Sequence, residues 1–222
     1  MRFATASLAL LAACATSLTA TPAFADTFTV FSTPTAAYVA DTTDYGGGNA
    51  SESTISSLGV FTFSHGLGEY VVPAQWRTWG APPNTQSSTP YVLYNAGTSL
   101  LLTLASGYNI AGFELEESDF GSALYSVSFY DENGVLIDTV SQSVDGDAGA
   151  LQFALEDTTA GQTIGSVQVS GGTSDGFSIA QLSAGDIATT PEPSSLILLG
   201  TGLIGVAGVA RRRIRSAISS QA

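Results

Sequence analysis

The chain has 222 residues, 44% of them apolar, which is enough for one globular domain with targeting segments and too few for a multidomain machine. Six cations stand against 19 acids for a formal charge of −13, and between residues 26 and 190 Arg77 alone faces 18 acidic side chains, leaving that stretch near −17. Such a surface repels phosphate backbones and excludes nucleic acid as a partner, while one Cys and one His exclude an internal disulfide, a zinc cluster and a Cys/His catalytic pair.

The first predicted element, residues 1–25, reads as a secretory signal peptide. Arg2 precedes an apolar run from Phe3 to Leu18, and Ala23 and Ala25 place small residues before Asp26, so cleavage by signal peptidase is expected after Ala25. A retained membrane helix is disfavoured because the run is short and no basic stop-transfer follows. Leu11-Ala12-Ala13-Cys14 resembles a lipobox that would make Cys14 a lipidated first residue, but it leaves a very short leader and bypasses the better site at Ala25.

Residues 26–186 read as one domain of short strands. In chain order the candidates are Thr27–Phe31, Ala36–Ala40, Val60–Phe63, Tyr70–Val72, Tyr91–Tyr94, Ser99–Leu104, Ile110–Leu115, Tyr125–Tyr130, Val135–Val140, Leu151–Leu155, Ile164–Val169 and Phe177–Leu182. Tyr125, Val127 and Phe129 alternate with Ser126, Ser128 and Tyr130, the pattern of a half-buried strand, and Asn133-Gly134 supplies the turn to the next one. Residues 41–57, with Gly46-Gly47-Gly48, and residues 81–90, with Pro82-Pro83, read as long exposed loops. No stretch sustains a 3.6-residue period with caps, and no fixed repeat signals a solenoid. The expected fold is therefore all-β, an antiparallel β-sandwich with a jelly-roll-like topology.

Three local patterns bear on chemistry. Gly172-Thr173-Ser174-Asp175-Gly176 matches the Gly-x-Ser-x-Gly hydrolase elbow in letters only: a strand follows instead of a helix, and the one histidine, His65, lies upstream, so a β-turn is expected, with His65 at a strand end. Asp145-Gly146-Asp147, with Glu156 further on, resembles a calcium loop but lacks the fifth and sixth positions of an EF-hand. No cofactor is expected; calcium in a loop of another kind stays open, with Asp44, Asp131 and Asp175 unassigned and the metal-ligand set empty. Trp76-Arg77-Thr78-Trp79 gathers both tryptophans and the only cation of the body, with Tyr70 nearby. Sugars stack on exposed aromatic rings and a guanidinium can bridge hydroxyls, which makes Trp76, Arg77 and Trp79 the candidate glycan contact. Packing of either tryptophan into the core, with Arg77 neutralising an acid such as Glu69, is the competing reading. No catalytic residue is identified, and the body is read as non-enzymatic.

The C-terminus begins with a linker, residues 187–193, that ends in Pro191-Glu192-Pro193. An uncharged run, residues 194–210, would make a membrane-spanning helix of about 25 Å, and Arg211, Arg212, Arg213 and Arg215 follow in the basic tail, residues 211–222. Arginines beyond a span hold that end in the cytoplasm, which places the body outside the membrane in agreement with the signal peptide. The prolines keep Glu192 extended and open to a processing enzyme. Gly202, Gly205 and Gly208 lay a small-residue strip along the span, suited to close helix approach.

This order of Pro-Glu-Pro, apolar span with Leu198-Leu199-Gly200-Thr201-Gly202-Leu203, and arginine cluster resembles the PEP-CTERM sorting signal of Gram-negative bacteria. The resemblance implies that Pro191, Glu192 and Pro193 are recognised by an exosortase, that residues 194–210 are a transient anchor, and that Arg211–Arg215 form the cytoplasmic stop. It also implies export to the cell surface or extracellular matrix of a species that makes exopolysaccharide, a biofilm setting. A plain single-pass anchor that nothing cuts is the alternative. The segments Phe113-Glu114-Leu115, Phe129-Tyr130-Asp131 and Gly176–Gln181 are similar, more loosely, to the body of PEP-CTERM proteins.

Overall fold

The computed structural model describes residues 27–46, 54–159, 162–186 and residue 201. The expected signal peptide with Ala23 and Ala25, the Pro191-Glu192-Pro193 motif, the arginine cluster and, apart from Thr201, the expected span lie outside the described residues. Among the described residues no helix is long and apolar enough to cross a membrane.

The described residues of the body form twelve strands: β1 (Phe28–Phe31), β2 (Thr43–Asp44), β3 (Ile55–Leu58), β4 (Phe61–Val71), β5 (Tyr91–Asn95), β6 (Ser99–Leu104), β7 (Ile110–Glu117), β8 (Ser122–Asp131), β9 (Leu136–Asp145), β10 (Leu151–Asp157), β11 (Ile164–Gly171) and β12 (Phe177–Gly185). Every pairing is antiparallel, and the strands form one sheet in the order β1-β10-β7-β12-β5-β4-β6-β11-β8-β9, with β2 on β12 and β3 on β4. The sheet turns back on itself at β4. Phe61–Phe63 pair with β6 whereas Gly68–Val71 pair with β5, and the bend between them passes through Gly66 and Gly68, where missing side chains let the strand curve. The result is nearly barrel-like, two facing halves over one core.

Period-two alternation fills that core from both sides. Phe113, Leu115, Phe153 and Phe177 point inward from the β4-to-β1 half and meet Leu100, Leu102, Val127 and Phe129 from the β6-to-β9 half, all buried in a single cluster. From β5 to β8 and again from β9 to β12 the chain crosses from one half to the other at each connection, so most partners lie far apart in sequence.

Four expectations need correction. Residues 36–40, expected as a strand, begin the only helix among the described residues of the body, α1 (Ala36–Asp41). Thr35 caps it by accepting the Tyr38 amide at 3.2 Å, and the alanine-rich turn buries Tyr38 alone. Residues 41–57 are not wholly loop, since β2 and the start of β3 fall inside; both are short and polar, and only Ile55 among them is buried. Residues 81–90 are not wholly exposed, because Thr85 and Pro90 are buried. The candidates at residues 60–63 and 70–72 belong to one continuous strand, β4.

Candidate functional site

The outer face of the β4-to-β10 half is roofed by the 72–90 connection. Alternation in β7 sends Ala111, Phe113 and Leu115 into the core and turns Glu114 and Glu116 outward. The register sets Glu114 between Ala180 and Gln152 and Glu116 beside Ser178, which neighbours Tyr94. Over these strands the connection folds down a second apolar cluster of Val72, Trp79, Val92, Ala150 and Ala180, with Tyr70 and Trp76 packed against it.

Both glutamates are thereby sealed from water, at 0% exposure. A buried carboxylate needs donors. Trp79 Nε1 donates to Glu114 Oε2 at 2.9 Å and the Gln86 amide to Oε1 at 2.5 Å, while Trp76 Nε1 donates to Glu116 Oε2. Glu116 Oε1 has no hydrogen-bond partner. Burial, tempered by these donors and by Thr78 at Glu116, pushes each carboxyl up to about 7. The third acid of the strand, Glu117, faces a different set of donors: Tyr125 Oη at 2.7 Å, Thr173 Oγ1 at 3.0 Å and the Ser118 amide at 3.0 Å. Burial pushes the Tyr125 phenol far up, with the adjacent Glu117 adding to the effect.

Of the expected glycan contact, Trp79 is 1% exposed and serves as a lid on Glu114, so it presents no face to a ligand. Arg77 is exposed and Trp76 half-buried. Trp76 instead joins Tyr70 and Tyr94, ring centroids 6.3 and 5.9 Å away, and those two tyrosines stand 5.8 Å apart edge to face. All three rings are half-buried, and Tyr94 is held by its hydroxyl donating to the Asp175 carbonyl at 2.6 Å. Tyr94 carried no signal of its own in the sequence; its place beside Trp76 is set by strand pairing.

The other patterns sit in turns. Gly172–Gly176 joins β11 to β12, with Gly172 at φ 81° and Gly176 at φ 85°, and Thr173 anchored on Glu117; a strand follows it, as the β-turn reading requires. His65, expected at a strand end, lies instead inside β4, where the strand bends. Asn95 Nδ2 donates to the Gly97 carbonyl at 2.6 Å, which fixes its amide and leaves Oδ1 to accept from His65 Nε2 at 2.6 Å. Asp131 and Asp145 each accept backbone amides of their own turns, which holds both carboxyls below the ordinary range. Among the described residues no group of three or more metal-ligating side chains gathers.

The outer face of the opposite half is a second, open surface. Pairing aligns its outward residues in rows: Thr103, Ser166 and Tyr130; then Leu101, Gln168, Ser128 and Thr139; then Ser99, Ser170, Ser126 and Ser141. The outward positions of β6 and β11, of residues 124–130 in β8 and of residues 139–143 in β9 carry no charged side chain.

Comparison with curated proteins finds no match. Two chains of solved structures match, one being the enzymatically active domain of bacteriophage CBA120 tailspike protein 4, at 14% identity and a TM-score of 0.34 over 64% of this chain. This chain spans 22% of that protein, and so remote a likeness carries no argument. Residues 189–213 match the family model of the PEP-CTERM protein-sorting motif, covering the Pro-Glu-Pro triplet, the uncharged run and the first three arginines of the cluster. The motif implies an exported protein, an exosortase as processing partner, and passage through the membrane to the cell surface. The chain is thus a carrier of the PEP-CTERM sorting motif, placed behind an acidic, antiparallel all-β body.

Proposed function

We propose that the protein is a non-enzymatic structural or adhesive component of the extracellular matrix that associates with exopolysaccharide after its tail has been read and removed. The matched motif at residues 189–213 carries this reading. Signal peptidase cuts after Ala25, residues 194–210 anchor the chain in the inner membrane, Arg211, Arg212, Arg213 and Arg215 hold its end in the cytoplasm, and exosortase acts on Pro191-Glu192-Pro193. The body's high acidity supports a soluble, mutually repelling surface outside the cell. The proposal requires no cofactor. Intact mass tests it: the mature chain should run from Asp26 to near Pro193, and alanine at Pro191, Glu192 and Pro193 should leave it long and lodged in the inner membrane. A full-length product in the presence of exosortase would establish instead a simple uncleaved anchor.

A carbohydrate-binding module is the second reading. The half-exposed Trp76, flanked by Tyr70, Tyr94 and exposed Arg77, favours it. Titration with exopolysaccharide should change tryptophan emission, and Trp76→Ala should remove the change; an unchanged spectrum in wild-type protein refutes it.

A further inference from the structure

The open face of the β6-to-β9 half presents rows of uncharged hydroxyl and amide side chains. In a protein of formal charge −13, its rows are Ser, Thr and Gln with interspersed Leu101, Leu124 and Tyr130. Neighbouring hydroxyls are paired across strands, Ser126 with Ser141 at 2.9 Å and Ser128 with Thr139 at 2.8 Å. Gln168 is locked by donating to Ser99 Oγ at 2.9 Å and to the Val169 carbonyl at 2.7 Å. The array is therefore ordered before any partner arrives, at intervals of about 4.8 Å across strands and about 6.7 Å along them. Each paired hydroxyl keeps spare hydrogen-bonding capacity toward solvent.

Charge and composition select the partner. A polyanion is repelled by the surrounding acids, and a basic protein would be drawn to those acids rather than to the uncharged rows. A second copy is a poor fit, since interface cores are depleted in serine and enriched in aromatics. A polymer that is uncharged, carries donors and acceptors on the same groups and exposes apolar C–H edges matches hydroxyls and leucines alike. Its repeats also multiply weak contacts.

We propose that this sheet face is the docking surface for a neutral polysaccharide, with the β6, β8, β9 and β11 rows lying along the polymer. The assignment rests on the proposed association with polysaccharide and places it on the face opposite Trp76.

Full-length protein in mild detergent is sedimented with insoluble cellulose, a neutral probe, and tested against soluble polygalacturonate, a polyanion. Binding to cellulose alone is expected, about ten-fold weaker in Thr103→Glu/Ser141→Glu and unchanged in the charge control Val39→Glu, an exposed position on α1 outside the face. Hydrogen exchange on the unsubstituted chain, with and without a soluble neutral glucan, should slow in β8, β9 and β11, a readout independent of how the variant folds. Loss of binding in Trp76→Ala with the double variant unaffected overturns the face while sparing the polysaccharide reading. Preference for the polyanion overturns the neutral partner. Binding to neither polymer defeats both readings, and a concentration-dependent dimer abolished by the double variant gives the face to a second copy.

Discussion

Glu116 makes stability of this body fall as the solution turns neutral. Its carboxyl rises from an ordinary 4.5 to about 7, chiefly through burial. The folded chain therefore holds a proton that the unfolded chain releases above pH 4.5. The stabilisation is fully present below about 4.5, is lost progressively as pH rises toward 7, and does not change further beyond it. A difference of about 2.5 units at 1.36 kcal/mol each is of order 3 kcal/mol, which in a body of this size is about 6–12 °C in Tm. The geometry supports a neutral acid. Oε2 accepts from Trp76, and the proton can reside on Oε1, which has no partner. Glu114 differs in accepting at both oxygens but is raised for the same reason. Urea unfolding of the full chain from pH 4.5 to 8, followed by tryptophan emission, measures the slope. Glu116→Gln keeps an acceptor for Trp76 and should remove about half of the decline, matching wild type at pH 4.5 and exceeding it by about 3 kcal/mol at pH 8. A stability that rises between pH 5 and 7, or a slope the variant leaves unaltered, refutes the argument.

Three further outcomes follow from the packing. Tyr125→Phe removes one donor from the buried Glu117 carboxylate and should cost about 1–3 kcal/mol in urea unfolding, with Thr173 and the Ser118 amide still bonded. Gly112→Ala would place a Cβ 2.2 Å from Ala154 Cβ and 2.6 Å from the Tyr38 hydroxyl, on the neighbouring strand and on α1; a loss of about 1–3 kcal/mol in thermal unfolding is expected, whereas Gly134→Ala would meet no neighbour and only strain a turn at φ 78°. Trp79→Phe deletes the donor to Glu114 Oε2, which raises the folded-state carboxyl further, so the decline belonging to Glu114 should still begin near pH 4.5 but end at higher pH, and overall stability should drop by about 2–4 kcal/mol.

Strand positions and the sorting tail were legible because both are local. The alternation of Tyr125, Val127 and Phe129 with serines is printed along one strand, and Pro191-Glu192-Pro193, an uncharged run and an arginine cluster occupy consecutive residues. Residues 36–40 misled because so short a segment cannot show a period, and a single Thr35 cap decides between helix and strand. The acids at residues 114 and 116 alternate with core residues in β7, which reads equally well as a solvent-facing row; only the connection folded over them makes them buried. Trp76 and Trp79 are three residues apart and end in different environments, one roofing Glu114 and one at the edge beside Tyr94.

The amino-acid sequence by itself determined that this chain is acidic, built of short strands and tagged for sorting, since charge, alternation and motif order need no partner to be read. The tertiary structure alone decided which strands pair, which carboxylates lose their water and which hydroxyls form a continuous uncharged face. Those properties depend on contacts between residues as distant as Leu100 and Val169 or Trp79 and Glu114, brought together when β4 bends and the two halves close on one core.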